Sequence, residues 1–173
     1  MKTQQFDIAV AQSNIDWLGK KVTGAHNGTI DLKQGTLLLT DGQLTGGKFT
    51  IDTTSIKILD ITDPATNTQF ADHLASDDFF AIQQYPEAYF EITATDGNNI
   101  EGNLTIKGIT HPVGFTSRLQ VAGDTLTATG KIIIDRTLYN IKYRSGNFFK
   151  DLGDTLIYND FELNVSLTAK AVS

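Results

Sequence analysis

Cysteine is absent from this chain of 173 residues. That excludes a disulfide framework, a thiolate nucleophile and a thiolate-ligated metal. Positive charge is scarce. Lys and Arg number 14 against 20 Asp and Glu, for a net charge of −6 and a pI of about 4.9. Nucleic acid is therefore not an expected partner, because phosphate binding requires a basic face. The same deficit argues against docking on anionic membranes. Long apolar runs are missing as well. Stretches such as Leu37-Leu38-Leu39 and Ile132-Ile133-Ile134 fall far short of the roughly 20 residues that span a bilayer. The opening Met1-Lys2-Thr3-Gln4-Gln5-Phe6-Asp7 shows no basic region followed by an apolar core, so no export signal is visible. No repeat, linker or low-complexity stretch divides the chain, and a single domain over 1–173 is expected.

What is present reads as a folded β protein. Apolar residues make up 40% and charged residues 20%, a balance that supports a packed core and argues against disorder. Segment after segment alternates with a period of two. Ile100, Gly102, Leu104 and Ile106 alternate with Glu101, Asn103, Thr105 and Lys107. Phe115, Ser117, Leu119 and Val121 form a second such series, and Phe161, Leu163, Val165, Leu167 and Ala169 a third. Each is a strand with one buried and one wet face, the habit of antiparallel sheets. Asp41-Gly42, Asp96-Gly97 and Gly123-Asp124 supply turns of the kind that close hairpins.

The alternation and the turns predict strands near 6–18, 22–32, 35–41, 43–59, 88–95, 99–107, 112–122 and 125–135, and a long last strand near 155–171. Only residues 65–85 read as helical, with Phe70 and Leu74 on one face, Asp77 as a candidate cap and Pro86 as a stop. An antiparallel sheet of about eight strands with one or two short helices near 65–85 must hide its edges, and closing into a lipocalin-like β-barrel does so. Such a barrel either packs its interior or keeps a ligand cavity.

Catalytic and metal chemistry is thinly represented. Gly42-Gln43-Leu44-Thr45-Gly46-Gly47-Lys48-Phe49 approaches a phosphate-binding loop. It has Phe49 where a magnesium-binding hydroxyl is needed, and it sits in a hairpin. A glycine-softened strand with a bulge accounts for it. His26, His73 and His111 lie at no metal-ligand spacing, and no Ser stands in a Gly-x-Ser-x-Gly elbow. Asp60, Asp63, Asp72, Asp77 and Asp78 miss the calcium-loop pattern and read as a solvated acidic loop. No cofactor, metal or catalytic residue is expected. Arg136 stands apart. If Leu126, Ala128, Ile132 and Ile134 face inward, Arg136 shares their parity and presents a cation at the end of an apolar lining. The other reading of Asp135-Arg136 is a structural pair where strand parity breaks.

Four segments together resemble the YceI family of bacterial lipocalin-like proteins. They are Val22-Thr23-Gly24-Ala25-His26-Asn27-Gly28, then Gly46-Gly47-Lys48-Phe49-Thr50-Ile51-Asp52-Thr53-Thr54-Ser55-Ile56. The third holds His73-Leu74, Asp78-Phe79-Phe80 and Tyr85-Pro86 followed by Phe90, and the fourth is Gly102-Asn103-Leu104-Thr105-Ile106-Lys107-Gly108-Ile109-Thr110. Asp135-Arg136 and Tyr139-Asn140-Ile141-Lys142-Tyr143 resemble the family's strand end. The resemblance runs from about Phe6 to Ala169. It implies an antiparallel barrel whose elongated pocket holds a polyisoprenoid, such as a polyprenyl phosphate or a quinone precursor, for carriage or storage. It also implies a periplasmic or secreted location, against a cytoplasmic one if the chain is full length. The Asn147–Asp154 stretch, extended relative to the family, is expected to shape the pocket mouth.

Parity places Phe49, Ile51, Phe79, Phe80, Phe90, Ile92, Leu104, Ile106, Phe115, Ile132, Ile134, Phe161 and Leu163 along an apolar tunnel. Arg136, with Tyr139 or Tyr143, is the expected headgroup contact. Two alternatives stay open on the residues. One is an enzyme at the barrel mouth, with His26 or His111 and nearby carboxylates as acid and base. The other is a filled barrel serving as an interaction or stress-related sequestering module. A homodimer is compatible with both.

Overall fold

Nine strands among the described residues join one antiparallel sheet that closes on itself. The computed structural model describes residues 3–21, 24–141 and 157–172. In chain order the strands are β1 (Thr3–Ile8), β2 (Asn14–Lys21), β3 (Gly24–Thr40), β4 (Gln43–Ile58), β5 (Glu87–Asp96), β6 (Asn99–Ile106), β7 (Ile109–Ala122), β8 (Thr125–Asp135) and β9 (Ile157–Ala171). One helix, α1 (Pro64–Ala75), lies between β4 and β5. Strands β2 to β9 form a closed eight-strand barrel in which β3 pairs with both β2 and β4, and β9 with both β8 and β2.

The ninth strand shares a place in the wall. β1 pairs with the second half of β3 (Phe6 opposite Leu37), whereas β2 pairs with its first half (Trp17 opposite Gly28). A 3-10 turn at Val10–Gln12 separates them. The single strand expected over 6–18 is therefore two, because the chain kinks where Ser13 Oγ donates to the Ala9 carbonyl at 2.9 Å. The separate strands expected at 22–32 and 35–41 are one, β3, bent rather than broken. Its register against β4 slips at Thr29/Asp31, Leu32/Gln34 and Leu38/Leu39. Such bulges add the local twist that lets a sheet close. The last slip explains the Gly-rich hairpin: Leu38 faces Gly46, Leu39 faces Leu44, and Thr45 is the extra residue.

Two-residue turns join the strands where the sequence supplies left-handed conformers. Asp41 (φ 53°) and Gly42 (φ 82°) link β3 to β4, and Lys107 (φ 55°) and Gly108 (φ 72°) link β6 to β7. Positive φ at both positions matches the twist of the flanking strands. The β3–β4, β5–β6 and β7–β8 turns lie at one end of the barrel. The β6–β7 turn, the end of β8 and the start of β9 lie at the other, together with α1.

α1 is a single helix, and its cap is Asp63 rather than Asp77. The Asp63 carboxylate accepts from Thr66 N–H at 3.0 Å, with Pro64 in the first turn. That side-chain bonding also holds the Asp63 carboxyl below its ordinary range. Proline suits this position because its missing N–H would have no helical partner. Residues 77–84 beyond the helix are turns tied to it, with Phe80 N–H donating to the Leu74 carbonyl at 3.0 Å.

The hairpin-turn end of the barrel is filled. Phe6, Leu126 and Ala169 are wholly buried there, and Leu39 nearly so. None of the four borders the internal cavity.

Candidate functional site

The interior between that plug and α1 is not filled. A cavity of about 250 Å³ runs inside the barrel, and its wall is nearly all apolar. Inward-facing Phe49, Ile51, Phe80, Phe115, Ile132, Phe161 and Leu163 pack against the buried core yet remain only partly buried, because they face this space. All the tunnel residues expected from parity border it: Phe49, Ile51, Phe79, Phe80, Phe90, Ile92, Leu104, Ile106, Phe115, Ile132, Ile134, Phe161 and Leu163. The wall also takes Trp17, Ile30, Phe70, Val113, Val165 and Leu167, which the sequence reading passed over. Val165 and Leu167 share the parity of Phe161 and Leu163, so the signal for them was present. Phe70 comes from the inner face of α1, which strand alternation does not address.

The aromatic rings are ordered across strands. Phe90 on β5 lies between Phe49 on β4 (centroids 6.0 Å apart, planes at 29°) and Phe115 on β7 (5.8 Å, 48°). Phe80, from the segment after α1, meets Phe161 edge-on at 6.5 Å. Offset and edge-on pairs of this kind are the favourable ring geometries.

Among the described residues, charge enters the lining at one end only. Lys20, Lys21, His26, Arg136 and Asp160 border the cavity, and all belong to the α1 end of their strands. Arg136 is the most buried of them. β8 stops at Asp135, whose carboxylate accepts from Thr137 N–H at 3.0 Å and caps a 3-10 turn over Arg136–Tyr139. The Arg136 guanidinium then turns to the main chain: Nε donates to the Tyr158 carbonyl (3.0 Å), Nη1 to Ile141 (2.8 Å) and Nη2 to Ile157 (3.1 Å). Arginine carries five N–H donors, so two stay free of these bonds. Burial pulls its pKa down to about 10, partly offset by the nearby Asp135 charge. Parity does break at Asp135-Arg136, yet Arg136 still reaches the lining.

Tyr139 is placed differently from Arg136. It is wholly buried, packs edge-on against His111 with centroids 5.4 Å apart, and does not border the cavity. Its hydroxyl has no hydrogen-bond partner among the described residues, and burial pushes its pKa up to about 12. Tyr143 and the Asn147–Asp154 stretch lie outside the described residues.

The histidines and aspartates act as ties around the α1 end. His26 Nδ1 lies 2.8 Å from Asp60 Oδ2, and the His26 ring packs on Phe70 of α1 at 4.8 Å. Burial alone would raise the Asp60 pKa, but bonds from His26 and from Asn27 N–H hold it below its ordinary range. His73 Nε2 lies 3.1 Å from Asp78 Oδ2, and the His73 ring meets Phe79 edge-on. Lys107 Nζ donates to the carbonyls of Asp77 (3.0 Å) and Asn140 (3.2 Å), linking the segment after α1 to the Arg136–Tyr139 turn. Burial lowers its pKa against the pull of Asp77 and Asp78. The acidic stretch is thus not merely solvated: Asp60 and Asp78 pair with histidines and Asp63 caps α1. Among the described residues no three His, Asp or Glu side chains converge as a metal site.

The family model for a YceI-like domain matches residues 6–169. The chain belongs to the YceI-like family. Among proteins of similar sequence, a UPF0312 protein of Yersinia pestis is 33% identical over 85 residues, covering 47% of this chain and 44% of that protein. The chain thus matches less than half the length of that relative. Among solved structures, Burkholderia cenocepacia BcnA superposes with a TM-score of 0.70 at 23% identity, over 94% of this chain and 99% of that one. A polyisoprenoid binding domain from Saccharophagus degradans, implicated in plant cell wall breakdown, superposes with a TM-score of 0.70 at 14% identity, over 96% and 98%. Both likenesses establish the shared YceI-like fold.

Proposed function

We propose that this YceI-like barrel binds a long apolar amphiphile, a polyisoprenoid such as a polyprenyl phosphate or quinone precursor, and carries or stores it. One observation supports this most strongly: among the described residues the lumen is apolar along its length, plugged at the hairpin-turn end, and bordered by charge only at the α1 end. A ligand matched to that profile has a long hydrocarbon tail and a polar head. The tail gains roughly 0.8 kcal/mol per CH₂ removed from water. The head remains near Lys20, Lys21 and Arg136, where the two N–H donors of Arg136 not engaged by carbonyls of the described residues suit a phosphate or quinone oxygen. The Saccharophagus degradans neighbour, described as polyisoprenoid binding, supports the same ligand class.

Binding is favoured over catalysis. Both His–Asp contacts have a packing role: His26–Asp60 ties the segment before α1 to β3, and His73–Asp78 ties α1 to the segment that follows it. An unfilled interior likewise counts against the filled interaction module. The test is mass spectrometry of an organic extract from protein purified without detergent. An isoprenoid at near one per chain supports the proposal. Protein that comes out empty, and then takes up no isoprenoid alcohol or polyprenyl phosphate offered in solution, refutes it.

A further inference from the structure

Four of the rings on the lumen wall, those of Trp17, Phe49, Phe90 and Phe115, rest on a glycine of the neighbouring strand. An ideal Cβ on Gly102 of β6 would stand 2.5 Å from Cζ and 2.7 Å from Cε1 of Phe90 on β5, and 2.6 Å from the Glu91 carbonyl oxygen. One on Gly35 of β3 would stand 2.8 Å from Cδ1 of Phe49 on β4 and 2.9 Å from Cγ1 of Ile8. One on Gly28 of β3 would meet the Trp17 ring of β2 at 2.6 Å, and one on Gly130 of β8 would meet the Phe115 ring of β7 at 3.4 Å. Rings and glycines thus alternate around four strand pairs. None of these glycines has a positive φ, so backbone conformation does not require them. What they provide is room for a ring against the wall.

We infer that these glycine–ring contacts set the bore of the lumen, and that Gly35 is a specificity-determining residue for the ligand proposed above. The inference rests on that ligand reading. A methyl added at Gly35 needs space that the Phe49 ring and Ile8 now hold. The Lys48 carbonyl oxygen, 3.2 Å from that methyl, is main chain and yields little. Beside Phe49 stands Phe90, with centroids 6.0 Å apart. The lumen is the direction left to the ring, so it swings inward and narrows the bore. A narrower bore excludes a methyl-branched, unsaturated isoprenoid chain before it excludes a straight alkyl chain. Gly28 and Gly102 are unsuitable as tests, since their Cβ atoms would also fall 1.7 Å from the Lys57 and 2.6 Å from the Glu91 carbonyl oxygens. Gly130 borders the lumen itself, so a methyl there would narrow the bore without moving a ring.

The experiment is displacement of the neutral fluorescent probe N-phenyl-1-naphthylamine by geranylgeraniol and by 1-hexadecanol. It compares the parent protein with Gly35→Ala and the relieved pair Gly35→Ala/Phe49→Leu. A steric change of one methyl in an apolar pocket shifts discrimination by about tenfold or more. Gly35→Ala is expected to lose that much geranylgeraniol affinity relative to hexadecanol, and the relieved pair to return toward the parent ratio. An unchanged ratio in Gly35→Ala overturns the inference and leaves the proposed function standing. A parent protein that binds neither alcohol overturns the proposed function itself. If Gly35→Ala does not fold, the relieved pair decides: folding with the ratio restored supports the inference, and failure to fold shows that the glycine serves backbone packing alone and overturns it.

Discussion

Replacing Tyr139 by Phe is expected to stabilise the ligand-free protein, against the usual effect of trimming a buried side chain. The Tyr139 ring is packed on all sides, with 1% of its surface exposed, and its hydroxyl has no partner among the described residues. A buried donor left unsatisfied costs about 1–3 kcal/mol. Tyr139→Phe removes that cost and gives up only the contacts of one oxygen, so a net gain of about 1 kcal/mol is expected at neutral pH. For a chain of this size that is a rise in Tm of about 2–4 °C. The alkaline limb gives an independent reading. Burial raises the Tyr139 pKa from 10 to about 12. Between those values the folded state keeps a proton that the unfolded chain releases, so stability falls as pH rises. Linkage puts the loss at about 1.4 kcal/mol at pH 11 and about 2 kcal/mol at pH 12. Arg136 has the opposite sign in the same window, since its folded pKa is pulled down to about 10. It is present in both proteins and cancels in their difference. Urea unfolding of parent and variant at pH 7, 10, 11 and 12 measures that difference, which should begin in favour of Phe and widen above pH 10. A variant less stable at pH 7 by 1 kcal/mol or more, with a gap that does not widen, would show that the hydroxyl is hydrogen-bonded in solution and would refute the reasoning.

Arg136→Met should lower stability by about 2–4 kcal/mol, because three main-chain carbonyls lose a charged donor at once, and Arg136→Lys should not restore it, since an ammonium lacks the planar fork; chemical denaturation measures both. Phe90→Trp and Leu104→Trp put extra ring volume on the lumen wall. Each should cut retention of a C20 isoprenoid alcohol about tenfold or more while the protein stays folded, and retention unchanged in both would end the tunnel assignment.

The lumen was legible because strand alternation is an arithmetic property of the chain. Once Leu104 is taken as inward, Ile100, Gly102 and Ile106 follow, and the structure buries Ile100, Leu104 and Ile106 together. Closure of the sheet was legible for a similar reason: many amphipathic strands and a single helical segment leave few other ways to satisfy the edges. What alternation does not encode is where it fails. Nothing local to Val10-Ala11-Gln12 announces the kink that splits β1 from β2. Nothing local to Lys33-Gln34 announces that β3 continues through a bulge. The partners of Arg136 were hidden for another reason. Two of its three carbonyls, on Ile157 and Tyr158, lie more than twenty positions away in sequence, where β9 begins. The difference between Arg136 at the lining and Tyr139 behind it depends on a 3-10 turn of four residues, too short to leave a periodic trace. The glycine–ring contacts are pairings between strands, and they become visible only once register is known.

The two ends of the barrel are closed by opposite physics, and the difference has a measurable consequence. At the hairpin-turn end Phe6, Leu39, Leu126 and Ala169 exclude solvent by packing. At the α1 end the same solution would fill the lumen. There α1 and the segment after it place Leu74 and Phe79 in the core, and polar ties complete the rim: His26 to Asp60 and Lys107 to the carbonyls of Asp77 and Asn140, while Arg136 joins the end of β8 to the start of β9 through the carbonyls of Ile141, Tyr158 and Ile157. Of these polar ties only the Arg136 contact with Ile141 is fully buried, and its other two are part-buried. The His26–Asp60 and Lys107 ties are solvent-facing, and contacts of that kind contribute little each. Local opening at the α1 end should therefore cost much less than opening the packed end. Native-state hydrogen exchange tests this directly. The amides of α1 and of the Lys107–Gly108 turn should exchange well before those of Phe6, Leu126 and Ala169, and a long-chain ligand should slow the first group while leaving the second unchanged. Equal protection at both ends would mean that the α1 end is as firmly closed as the plug, and a ligand would then have no preferred way in.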